Sequence, residues 1–202
     1  MKKLFITLTI LLGCYNLTFA QQKGSVDFGA DVGLNTSFLY SSISSSSIIL
    51  GFNAGLSADY YFSRSWSIKV KAIYDQKGYG GGNSQIGDGP VNKSVDFRFN
   101  YITIPVMANW HFGRTGNWYL DFGPYIGFLT SAKETSNNLD VSSAVSNIDA
   151  GLALGIGLKI PISKHQKFFI EYDGQSGLTN AYSDSYDKVQ NIRESINIGI
   201  DF

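Results

Sequence analysis

The sequence predicts an all-β fold: an eight-stranded antiparallel up-and-down transmembrane β-barrel occupying residues 21–202. Three observations carry this. Apolar and polar residues alternate with period two in eight separate runs, the pattern of strands with one apolar face. The connections between runs alternate short and long, as in a barrel whose tight turns lie at one end and whose loops lie at the other. No apolar stretch after residue 20 reaches the roughly 20 residues a membrane-spanning helix needs.

The first twenty residues read as a cleaved signal peptide. Lys2 and Lys3 form a basic start, Leu4 to Leu12 a short apolar core, and Thr18-Phe19-Ala20 a small-residue cleavage site. Leu11-Leu12-Gly13-Cys14 also has the form of a lipidation site. The apolar stretch before Cys14 is short, and the site at Ala20 fits better. Cleavage there removes Lys2, Lys3 and the single cysteine, leaving 14 basic against 16 acidic residues. A near-neutral chain without thiols has no disulfide chemistry and no basic excess for nucleic acid.

The runs follow in order. Val26, Phe28, Ala30, Val32 and Leu34 alternate with Asp27, Gly29, Asp31, Gly33 and Asn35. Leu50 to Tyr60 sets its even residues against Gly51, Asn53, Gly55, Ser57 and Asp59. In the third run Trp66, Ile68, Val70 and Ala72 oppose Ser67, Lys69 and Lys71. The fourth changes parity: Val95, Phe97, Phe99 and Tyr101 share one face, Ile102 to Trp110 the other. A bulge near Asn100 would do this, as would a strand projecting beyond the membrane. Trp118, Leu120, Phe122 and Ile126 oppose Tyr119, Asp121 and Gly123; Ile148 to Ile162 opposes Asp149, four small residues, Lys159 and Pro161. Phe168, Ile170 and Tyr172 face away from Glu171 and Asp173, and Ile196, Ile198, Ile200 and Phe202 face away from Asn197 and Asp201. Pro105 and Pro124 fall inside runs and predict local irregularity.

Short links are expected at Ser63–Ser65, Gly113–Asn117 and Ser163–Gln166, and long loops at Ser41–Ser47, Lys77–Lys93, Ser131–Ser146 and Gly177–Lys188. The short ones are periplasmic in such barrels. Alternation alone also fits a soluble barrel with its apolar face inward. Glycines decide otherwise, because Gly29, Gly33, Gly51, Gly55, Gly123, Gly151, Gly155, Gly157 and Gly199 share the polar face. Eight strands leave only enough interior for side chains, so glycines there relieve crowding among charges. Trp66, Trp110, Trp118 and Phe202 all fall near the short-link end, an interfacial aromatic ring. The closing strand with its final aromatic is the kind of segment that barrel-insertion machinery reads.

Tyr101-Ile102-Thr103-Ile104-Pro105, running on to Trp110-His111-Phe112-Gly113, resembles a segment of the outer-membrane β-barrel (porin-like) family common in Bacteroidetes. Gly123-Pro124-Tyr125-Ile126-Gly127 and Gly177-Leu178-Thr179-Asn180 are similar to that family too. The resemblance implies an OmpX/OmpA-like barrel in the outer membrane of a Gram-negative bacterium. Members often carry Arg-Tyr before the Gly-Leu motif; here Glu171-Tyr172-Asp173-Gly174 stands in that region.

The inward parity collects Asp31, Asp59, Lys69, Lys71, Asp121, Lys159, Glu171 and Arg193 as a structural polar network, since buried charges need partners. His111 and His165 have no metal or catalytic spacing, Gly80–Gly82 and Gly87-Asp88-Gly89 read as a flexible loop, and Asp184 and Asp187 match no calcium template. The sequence therefore points to a non-enzymatic protein without cofactor or metal, whose partners are outer-membrane lipid, the insertion machinery and a surface ligand met by the loops. A narrow porin-like channel, or an accessory (PorT-like) barrel of a secretion system, is the alternative.

Overall fold

The computed structural model describes residues 23–41, 46–84, 92–183 and 187–202. The expected leader with Cys14, the Gly87-Asp88-Gly89 segment and Asp184 lie outside the described residues.

The strands are β1 (Val26–Ser41), β2 (Ile49–Tyr61), β3 (Trp66–Ser84), β4 (Asn92–Phe112), β5 (Trp118–Glu134), the two-residue β6 (Leu139–Asp140), β7 (Ile148–Pro161), β8 (Lys167–Gly177) and β9 (Val189–Asp201). Each long strand pairs antiparallel with its neighbour, and β1 pairs with β9 from Gly29↔Asp201 to Ser41↔Val189. The eight long strands thus form a closed ring, with β6 appended to the top of β5. Closure leaves no free sheet edge at membrane depth, as lipid requires.

The apolar parity faces out. Leu34, Leu50, Leu56, Ile196 and their neighbours are exposed, Leu34 by 73%; burying such a band is what lipid does. On β3 and β4 this band runs from Trp66 to Tyr74 and from Trp110 to Ile102, about one membrane-spanning strand length. Beyond it the outward residues become polar. Arg98 donates to the Gln76 side chain at 2.7 Å and Asn100 donates to Ser131 at 2.9 Å, which marks the membrane boundary.

That boundary explains the parity change on β4. Val95, Phe97, Phe99, Tyr101, Thr103, Met107, Asn109 and His111 all point inward without a break, and the β3–β4 register is continuous from Trp66↔Trp110 to Tyr79↔Phe97. The strand projects beyond the membrane, and its apolar side chains move inside where the outside is water. The extra residue lies on β5 instead: Tyr101 faces Leu129 and Asn100 faces Ser131, so Thr130 is bulged.

Two expected loops are corrected for the same reason. Most of Lys77–Lys93 continues β3 and β4, and Ser131–Ser146 contains the end of β5, β6 and a 3₁₀ turn at Ser142–Ala144. The prolines are milder than expected. The β4–β5 ladder skips between Pro105↔Tyr125 and Ala108↔Phe122 without changing register, so each proline removes a ladder donor and adds no residue.

Candidate functional site

The interior divides into three polar layers and a cap. At the short-turn end, Lys159 reaches Asp59 at 3.2 Å, Asp201 at 2.8 Å and the Tyr61 hydroxyl at 3.0 Å. Asn109 donates to Asp59 at 3.0 Å, and Ser67 and the His111 ring lie 3.0 Å apart. In the middle layer Lys69 contacts Asp121 at 2.6 Å and Glu171 at 3.0 Å; Lys71 contacts Glu171 at 3.1 Å and Asp31 at 3.2 Å. The Tyr119 hydroxyl donates to Glu171 at 2.7 Å. Higher up, Arg193 bridges Asp75 and Asp173, and Lys77 reaches Asp149 at 2.7 Å and Gln175 at 2.8 Å.

The structure therefore brings Asp59 and Lys159 together in the lowest layer and Asp31, Lys69, Lys71, Asp121 and Glu171 in the middle one. Arg193 stands apart from them in the top layer. Three members of that layer, Asp75, Lys77 and Asp149, were not singled out from the sequence. Asp75 and Lys77 continue the parity of Lys69 and Lys71, so following the alternation past Tyr74 finds them; reading Lys77 as the start of a loop hid them. Asp149 sits on the polar parity of its own run.

Glycine makes room for this packing. A β-carbon on Gly157 would lie 2.3 Å from the Tyr119 ring, and one on Gly199 would lie 2.4 Å from the Phe169 ring. The absent side chains admit aromatic rings that fill the lumen. Beside Lys71, Met107, Asp121 and Glu171 the remaining cavity is about 10 Å³, the size of one water at most.

Above the membrane the interior changes from ionic to apolar. Val95, Phe97, Phe99, Tyr101, Ala132 and Val145 form a buried cluster, with Tyr79, Leu129, Val141 and Tyr182 packed against it. Tyr79 stacks on Phe97 with ring centroids 5.0 Å apart, and Tyr182 donates to the Tyr79 hydroxyl at 2.6 Å. The Gly177-Leu178-Thr179-Asn180 motif clasps this cap to the wall. Thr179 accepts the Ala150 N–H at 2.9 Å, and Asn180 accepts the Val189 N–H at 3.1 Å. At the upper turn, burial works against the charged form of Glu134, but the backbone N–H groups of Asn137 and Ser136 outweigh it and hold the carboxyl below its usual range.

Outside the barrel, four aromatic residues of the short-link end form one row. Trp66 stacks on Trp110 at 6.2 Å, Trp110 on Phe112 at 5.0 Å, and Phe112 on Trp118 at 6.5 Å. Phe202 is exposed at the same end, away from the row, across β9. A groove of about 810 Å³ lies on the lipid-facing side, lined by Val32, Leu34, Leu50, Phe52, Tyr172 and Ile196 among others. Its walls suit acyl chains. Among the described residues no group of three or more His, Asp or Glu side chains is placed to hold a metal ion.

A closed eight-stranded ring with an outward apolar band and an ionic interior defines an integral outer-membrane β-barrel. Residues 19–183 match the outer membrane protein beta-barrel domain family, and the chain belongs to it. Among solved structures it is similar to Neisserial surface protein A, at 15% identity over 88% of this chain and 99% of that one, with a TM-score of 0.52. It is also similar to the outer membrane protein OprG from Pseudomonas aeruginosa, at 15% identity over 89% and 97%, with a TM-score of 0.50. Both share the fold. No curated protein matches in sequence.

Proposed function

We propose that this barrel is a non-enzymatic surface protein whose extracellular sheet presents an interaction face, the transmembrane part serving as its rigid mount. The observation that carries this is the projecting assembly itself. β3 and β4 run 19 and 21 residues, well past the membrane-spanning length, and together with β5 and β6 they enclose an apolar core of their own. Such a core fixes loop positions, and fixed loops on a scaffold are where binding residues concentrate.

The channel reading has less behind it. Ion pairs fill the lumen, and the aromatic cap covers its outer end. Planar-bilayer recording with folded protein is expected to stay silent. The interaction reading is tested by placing photo-crosslinkers at Asp96 and Lys133 on the outer sheet, with Arg114 at the opposite end as the control. Specific adducts from the outer positions on intact cells support it; adducts equal to those of the control sink it. Export through residues 1–20, and recognition of β9 by the insertion machinery through Ile196, Ile198, Ile200 and Phe202, belong to the same proposal.

A further inference from the structure

The short-turn end carries a pattern that neither the barrel's stability nor the surface role uses. Each periplasmic turn has a cation as its second residue: Ser63-Arg64, Gly113-Arg114 and Ser163-Lys164. Two of the turns are locked the same way. Ser63 accepts the Trp66 N–H at 2.9 Å and Ser163 accepts the Gln166 N–H at 3.1 Å. The third turns on Gly113 and Gly116, with φ of +83° and +67°, a conformation open to glycine. Arg64, Arg114 and Lys164 are exposed, and none has an ion-pair partner among the described residues.

The acids nearby are already neutralised. Asp27 is held by Lys167 at 2.7 Å and Asp201 by Lys159 at 2.8 Å. The outer sheet carries both signs, with Asp96 and Asp140 beside Arg98 and Lys133. At the short-turn end the side-chain charge left without an ion-pair partner among the described residues is thus of one sign, whereas the outer end carries both, although the residues after the leader have a slight acidic excess. Its height is set by its neighbours. Arg64 lies between lipid-facing Phe62 and Trp66, Arg114 between Phe112 and Trp118, and Lys164 between Ile162 and Phe168. A cation a few residues beyond a lipid-facing aromatic belt stands at the level of the headgroups, its apolar stem along the interface.

We infer that these turns form a docking rim for anionic phospholipid headgroups of the periplasmic leaflet. Each cation meets a phosphate, and the aromatic row beside it meets the upper acyl chain. The attraction of a basic side chain to an anionic lipid surface corresponds to roughly a fivefold preference per site.

The tryptophans supply the readout, since Trp66, Trp110 and Trp118 all sit at this end. The full chain, folded in vesicles, is quenched with brominated phosphatidylglycerol or with brominated phosphatidylcholine, and the ratio gives the relative association. The expected result is about a fivefold preference for phosphatidylglycerol, falling to parity in R64S/R114S/K164S and in 1 M salt, where screening shortens to about 3 Å. The charge-keeping variant R64K/R114K/K164R should retain it. If the triple serine variant does not fold, the single variants R64S, R114S and K164S report in its place, each lowering the preference in part. Equal quenching of the wild type by the two lipids overturns the inference, as does a preference that survives loss of the three cations. Wild-type protein without lipid preference that sediments with peptidoglycan through these cations would also overturn it, in favour of a wall contact.

Discussion

Replacing Lys69 by methionine tests whether the lumen is held by matched charges. Methionine keeps most of the stem that crosses the Tyr119 ring, where the ammonium lies 4.2 Å from the centroid, and deletes only the charge. Two carboxylates lose a partner, unequally. Glu171 keeps Lys71 at 3.1 Å and the Tyr119 hydroxyl at 2.7 Å. Asp121 has Lys69 as its cation, and its second oxygen already has no hydrogen bond. The penalty therefore falls on Asp121. Stranding one member of a buried pair costs about 3–5 kcal/mol; at a urea slope of about 2 kcal/mol per molar, the midpoint falls by about 2 M. Reversible urea unfolding in vesicles, followed by tryptophan emission, measures this. A second substitution apportions it, since neighbours are coupled. Asp121→Asn on the Lys69→Met background should recover most of the loss, and Glu171→Gln should recover little. A midpoint change under about 0.5 M, or equal rescue by the two changes, would refute the reasoning.

Three further outcomes follow from the same packing. Gly157→Val drives a side chain into the Tyr119 ring and should lower stability by about 1–3 kcal/mol in the urea assay. Phe99→Ala opens a void in the fully buried cap, costs about 3–5 kcal/mol locally, and should expose the β3–β4 hairpin to protease while the cold-gel mobility of the barrel is kept. For Glu134, a folded pKa below the ordinary 4.5 means its bonds to Ser136 and Asn137 contribute fully above that value and are lost as pH falls through the lower folded one. Protection of the Ser136 and Asn137 amides, taken relative to the intrinsic exchange rate at each pH, should therefore fall in acid, and Glu134→Gln should lower it at neutral pH with little further change on acidification.

Period two was enough to read the ring, because in a thin closed wall every residue has only two destinations. Asp121 and Leu120 differ by one position and by their whole environment. Legibility ended where the outer solvent changed. From Gln76 and Asn100 upward, water replaces lipid, the apolar side chains turn inward, and Tyr79 in a segment rich in glycine reads as loop. The partners of each charge were also hidden. Parity puts Lys69 and Glu171 on one face of the wall, but their 3.0 Å contact joins residues 102 apart in the chain, set by barrel register rather than by local pattern.

The join between β1 and β9 has a kinetic consequence. Gly29 meets Asp201, so closing the ring means bringing together nearly the full length of the folded chain. The entropy of a loop grows only slowly with its length, but contacts this remote in sequence delay folding. Until β9 is in place, β1 and β8 each present an unpaired edge that lipid cannot satisfy. Assembly should therefore be limited by one late event, in which the last strand zips the first and the wall becomes continuous in a single step.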